Sequence, residues 1–164
     1  MPFTRTALGA AALSFGLVAS ASAQAPQTER NVSMRMAQAI IDGALEQCAK
    51  DGYKVTVVIV DNAGQLHSAV RGDGTPPHTM EVARRKAYTA RTRNQTTAEF
   101  IKTLENPAMA PLRQIPDTIL LAGGVPIRVG GVAIGGVGVG GAPGGDKDEA
   151  CANAGIAKVA DALK

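Results

Sequence analysis

Tryptophan is absent from these 164 residues, and three phenylalanines and two tyrosines supply all the aromatic rings. A ligand pocket in such a chain draws its apolar area from aliphatic side chains instead of aromatic walls. The two cysteines, Cys48 and Cys151, are too few and too far apart for a zinc site and form no Cys-x-x-Cys pair. There is no Gly-x-Ser-x-Gly, no His-Glu-x-x-His and no Walker loop, and the glycine repeat lacks the strand-then-helix context of a dinucleotide fingerprint. No nucleophile, base and orienting third group can be assembled, so no catalytic residue is assigned. Beyond Ala23 no stretch is apolar for long enough to form a transmembrane helix. An excess of charge is also missing: 17 basic residues, Arg5 among them, stand against 14 acidic ones, which gives no argument for a nucleic-acid partner. Internal repeats and low-complexity tracts are absent apart from the glycines.

Met1 to Ala23 carries a basic start with Arg5, an apolar stretch from Ala7 to Ala19, and Ala21-Ser22-Ala23. That is the pattern of a secretory signal peptide cleaved after Ala23, which predicts a periplasmic or secreted protein and leaves residues 24–164 as one domain. In an oxidising space an even pair of cysteines, each on a predicted helix, reads as a disulfide from Cys48 to Cys151 or as two buried thiols.

Helical spacing of Ala37, Ile40, Ile41, Ala44, Leu45 and Cys48 predicts a first helix from Ser33 to Asp51, ended by Gly52. Lys54 to Val60 is apolar on both faces, as suits a central strand. The turn residues Asp61-Asn62-Ala63-Gly64 join it to a second strand, Gln65 to Arg71, as an antiparallel hairpin. After a loop of breakers, Gly72 to Pro77, Thr79 to Arg93 forms a helix with Ala83, Ala87 and Ala90 on its inward face. A shorter helix, Thr96 to Leu104, opens with Thr96 and Glu99 as a capping box. Prolines 107, 111 and 116 keep the next connection irregular. Ile119 to Ala122 is read as a third strand, Gly123 to Pro126 as a turn, and Ile127 to Val139 as one or two more strands before a last helix.

In that last strand region the apolar positions change phase, from Val132 and Ile134 to Val137 and Val139, so one extra residue is expected at Gly135-Gly136. So many glycines suit a place where a backbone, helix or ligand comes very close. Asp146 and Glu149 are read as cap and box partner of the final helix. The expected architecture is α/β in the α+β sense: an antiparallel five-stranded sheet flanked by helices, in the order α-β-β-α-α-β-β-β-α.

Taken together, Val60-Asp61-x-x-Gly64-x-Leu66, Arg71-x-Asp73-Gly74, Arg85-Lys86-Ala87-Tyr88-Thr89-Ala90, Gly123-Gly124-Val125-Pro126-Ile127 and the Gly130 to Gly141 strand followed by Asp148-Glu149-Ala150 resemble the GlcG/HbpS family over nearly all of the chain beyond Ala23. The resemblance implies a sheet sandwiched by helices in a profilin-like or roadblock-like arrangement, and assembly into homo-oligomers. Some members bind haem, one relative is a domain attached to a cobalamin-related adenosyltransferase, and many have no assigned reaction. Haem is therefore the cofactor the resemblance implies.

Of the individual groups, His78 lies between the prolines 76–77 and a helix start, where its imidazole can ligate haem iron or another metal, or face solvent at the helix end. Arg71, Arg84, Arg85, Lys86, Arg91 and Arg93 gather positive charge on one loop and one helix, as contacts for haem propionates or a small organic acid, or as a solvated face. Tyr88 on the alanine-faced helix and Gly124 in the glycine motif complete the expected ligand-binding set of His78, Arg71, Arg85, Tyr88 and Gly124. His67 is read as facing solvent or a neighbouring subunit, Met80 and Met109 as core filler, and Asp61 and Asp73 as turn formers. The functional expectation is an exported protein that binds haem, a related tetrapyrrole or a small anionic ligand, without a membrane span. Two alternatives remain: a lyase or isomerase acting on small carboxylates through the basic loop, and a ligand-free sensory or structural module.

Overall fold

The computed structural model describes residues 26–164, so the expected signal peptide, Met1 to Ala23, lies outside the described residues. Its elements are α1 (Met34–Lys50), β1 (Thr56–Val60), β2 (Leu66–Arg71), α2 (Thr79–Arg93), α3 (Thr97–Thr103), β3 (Gly124–Val129), β4 (Val132–Gly140) and α4 (Gly145–Ala157). Short 3-10 turns cover Pro107–Gln114 and Ala160–Leu163. The strands make one antiparallel sheet in the order β2-β1-β4-β3.

Local chemistry places most of these boundaries. Ser33 caps α1 through Met36 N–H, and Gly52 ends it in the left-handed region at φ 81°. At α3 the capping box of Thr96 and Glu99 is formed in both directions. On one face of the sheet Val57, Ile59, Val137, Val139, Ile127 and Val125 pack against Ile40, Ile41 and Ala44 of α1 and Ala152 of α4. Cys48 and Cys151 are fully buried there and bonded to each other, with Cα atoms 5.5 Å apart, so the outer helices are joined covalently.

The opposite face carries α2, and here the glycines of β4 matter. A Cβ added to Gly136 would overlap the carbonyl oxygen of Ala87, and one added to Gly138 would overlap that of Ala83. Ala83, Ala87 and Ala90 are fully buried, so helix backbone rests almost directly on strand backbone. Gly138→Ala is accordingly expected to cost about 3 kcal/mol, because the atom in the way is backbone and cannot rotate aside. Gly140→Ala, whose new Cβ would meet its neighbours at 3.5 Å, serves as control and should change stability by less than about 1 kcal/mol. Urea unfolding of the two variants checks this; matching midpoints would mean that α2 can lift off the sheet without loss.

Four corrections to the sequence reading follow. The sheet has four strands, not five, and the order is α-β-β-α-α-β-β-α, because Ile119 to Ala122 pairs with no strand. Its backbone is held by α2 side chains instead: Thr89 Oγ1 accepts Ile119 N–H at 2.9 Å, and Arg85 donates to the Thr118 carbonyl at 2.6 Å. Gly123 to Pro126 is not a turn; Gly124 opens β3, and Pro126 is tolerated because β3 is an edge strand. The extra residue in β4 is Ile134, just before the glycine doublet: Ile127 faces Gly135 while Arg128 faces Ala133. Finally, α4 starts one residue before Asp146, and its cap position is Gly144, which has no side chain to give a cap bond.

Candidate functional site

A cleft of about 560 Å³ opens where the first half of α2, the Leu120–Ala122 segment and the loop into α4 meet. Pro76, Val82, Leu120, Leu121 and Ala122 give it aliphatic walls, and Leu121 is half exposed at its edge. His78 and Asp146, both exposed, flank the mouth. His78 stands at the cap position of α2 but makes no side-chain cap bond, and its imidazole has no hydrogen-bond partner among the described residues.

Two charged residues lie on the cleft lining and are nevertheless almost fully buried, Lys86 from α2 and Asp148 from α4. Lys86 Nζ donates to Asp148 Oδ2 at 2.7 Å and to the Val139 carbonyl at 2.9 Å. Asp148 Oδ1 accepts Ala142 N–H at 3.0 Å. Burial pushes the Asp148 carboxyl above its ordinary range, against the opposing pull of the Lys86 ammonium and the Ala142 N–H. Gly123 makes room for the pair: at φ 115°, a Cβ there would sit 2.6 Å from the Asp148 Cβ and 2.9 Å from Lys86 Nζ.

The expected site residues do not converge. His78 lines the cleft, whereas Arg71, Arg85, Tyr88 and Gly124 do not. Arg71 is exposed at the end of β2, opposite Thr56. Arg85 is spent on the carbonyls of Asp117 and Thr118. The Tyr88 ring lies against Gly64, and Gly124 is buried with its N–H donated to Thr97 Oγ1 at 2.9 Å. Of the other arginines, Arg84 pairs with Glu81 and Asp117, Arg91 bonds Asn62, and Arg93 stacks over Phe100 at 5.1 Å. His67 is half-buried against Ser68 Oγ. Asp61 accepts Gln65 N–H within its turn. Among the described residues no three His, Cys, Asp or Glu side chains gather around a metal position, and no helix is long and apolar enough to cross a membrane.

The sequence placed Lys86 in a basic set open to either a carboxylate contact or a solvated face, and Asp148 among the charges at a helix start. The signal for their burial was present in the spacing. Lys86 follows Ala83 by three and precedes Ala90 by four, and Asp148 precedes Cys151 by three and Ala152 by four, so each sits inside a buried stripe.

A four-stranded antiparallel sheet between two helical layers, with a side-opening cleft at the end of β4, defines an α/β fold with its helices on both faces of the sheet. The chain belongs to the HbpS-like family, described as haem degrading protein HbpS-like, whose family model matches residues 32–157. It is similar to the protein GlcG of Escherichia coli K12, at 32% identity over 108 residues that cover 66% of this chain and 80% of GlcG. Among solved structures, a double mutant of HbpS from Streptomyces reticuli matches at a TM-score of 0.75 and 39% identity, over 81% of this chain and 89% of that one. The PduOC:heme complex shares the fold at a TM-score of 0.69 and 24% identity, over 77% of this chain and 94% of that one.

Proposed function

We propose that this chain is an exported protein that binds haem or a related tetrapyrrole in the cleft beside α2, with His78 at the mouth as iron ligand. The observation that carries this reading is the pairing of a hollow of suitable size and aliphatic wall with an imidazole that makes no hydrogen bond among the described residues. At about 560 Å³ the hollow lies in the range of small-molecule and cofactor sites, and Val82, Leu120 and Leu121 offer the flat apolar contact a macrocycle needs. The family's haem-degrading description and the haem held by PduOC support the same ligand. When bound, haem would supply an iron centre; the residues of this chain would orient the macrocycle and exclude water from one of its faces.

Export is part of the proposal. Disulfides persist in oxidising compartments, so the Cys48–Cys151 bond supports a periplasmic or secreted location with cleavage after Ala23. Self-assembly belongs to it as well, supported by the open outer edge of β2 and its well-exposed Leu66. A haemin titration of the protein lacking residues 1–23 tests the ligand. A shifted Soret band is expected, and His78→Ala should weaken binding by about tenfold or more through loss of the iron bond. No spectral change at micromolar haemin would remove haem from consideration and leave the small-carboxylate enzyme and the ligand-free module.

A further inference from the structure

We propose that Lys86 is the carboxylate contact of this cleft, receiving on its third ammonium hydrogen an acidic group of the bound molecule. On the haem reading, on which this inference rests, that group is a propionate.

Of the six basic side chains on α2 and the loop before it, four arginines are committed to protein partners and Arg71 lies off the cleft. Lys86 alone of the six lines the hollow. An ammonium carries three donors, and two of these are engaged by Asp148 and the Val139 carbonyl. The third has no acceptor among the described residues. Asp148 accepts Lys86 on one oxygen and Ala142 N–H on the other, and neither bond uses the third ammonium hydrogen. Asp146 is the opposing charge at the mouth; it is exposed, and solvent screens it more than it screens the buried ammonium. A buried N–H with no acceptor is normally answered by a ligand or a water, and a carboxylate answers it with a charge-assisted bond.

The test compares haemin with haemin dimethyl ester, which keeps the iron and the macrocycle but carries no carboxylate charge. Wild-type protein is expected to bind haemin at least about tenfold more tightly than the ester. Lys86→Gln retains an amide donor toward Asp148 and removes the positive charge; it should bring the two affinities to within about twofold, with the far-UV spectrum unchanged. Equal affinity of wild type for acid and ester overturns this assignment and leaves haem binding standing. So does a preference for the acid that survives in folded Lys86→Gln. Failure of both compounds to bind overturns the haem reading and this inference together. Should Lys86→Gln not fold, the pair replacement Lys86→Met with Asp148→Leu takes its place: loss of the acid preference supports the assignment and its survival overturns it.

Discussion

Asp148→Ala is expected to destabilise the protein by about 3–5 kcal/mol, because it strands the Lys86 ammonium in a site that is almost closed to water. The loss should appear as a lower urea midpoint with an unchanged slope. Replacing the pair together, as Lys86→Met with Asp148→Leu, is expected to return stability to within about 1 kcal/mol of wild type, since removing both charges also removes both desolvation costs. The upward push of burial on the Asp148 carboxyl points the same way: for that group, dehydration outweighs the attraction of its partner. A ligand-binding defect in a stable double variant would then separate the pair's role in the cleft from its role in the fold. If Asp148→Ala were as stable as wild type, the pair would have to be hydrated, contrary to the 4% exposure of both side chains.

Cys48→Ala with Cys151→Ala, the second large effect, should cost about 2–5 kcal/mol. The bond closes a loop of 103 residues, most of the domain, and a long loop loses the most conformational freedom in the unfolded chain when it is tied. Reductant added to the folded protein should act slowly, because both sulfurs are sealed beneath α1 and α4 and must first be exposed by unfolding. Equilibrium urea curves with and without reductant measure the first effect, and thiol labelling over time measures the second. Coincident curves would show that the hydrophobic layer around Ile40, Ile41 and Ala152 holds the two helices together unaided.

What the sequence disclosed was set by how local each signal is. Ser33, Gly52 and the Thr96–Glu99 box announce helix ends within a few residues, and the structure has them there. The phase change in β4 announced a bulge and missed its place by one residue, since valine spacing marks the faces but not the hydrogen-bond register. Ile119 to Ala122 misled because a short apolar run is compatible with a strand, a buried turn or a cleft wall, and only the positions of Thr89 and Arg85 decide among them. The cleft was legible in one residue, His78. Lys86 and Asp148 stand 62 residues apart on two different helices, and only the packing of both helices on the sheet brings them together. Arginines drew attention as a set on one helix, yet most of them spend their charge on neighbouring backbone or side chains.

The cleft has two walls of unlike stiffness. Along α2 helix and strand meet backbone to backbone, with no intervening layer of side chains to yield. Facing it, Leu120 to Ala122 belongs to no strand, and the chain just before it is moored by a few bonds from Thr89 and Arg85. A guest bound as proposed would therefore rest on one side against a helix seated directly on strand backbone, and on the other against a segment that lies outside the sheet's ladder of hydrogen bonds.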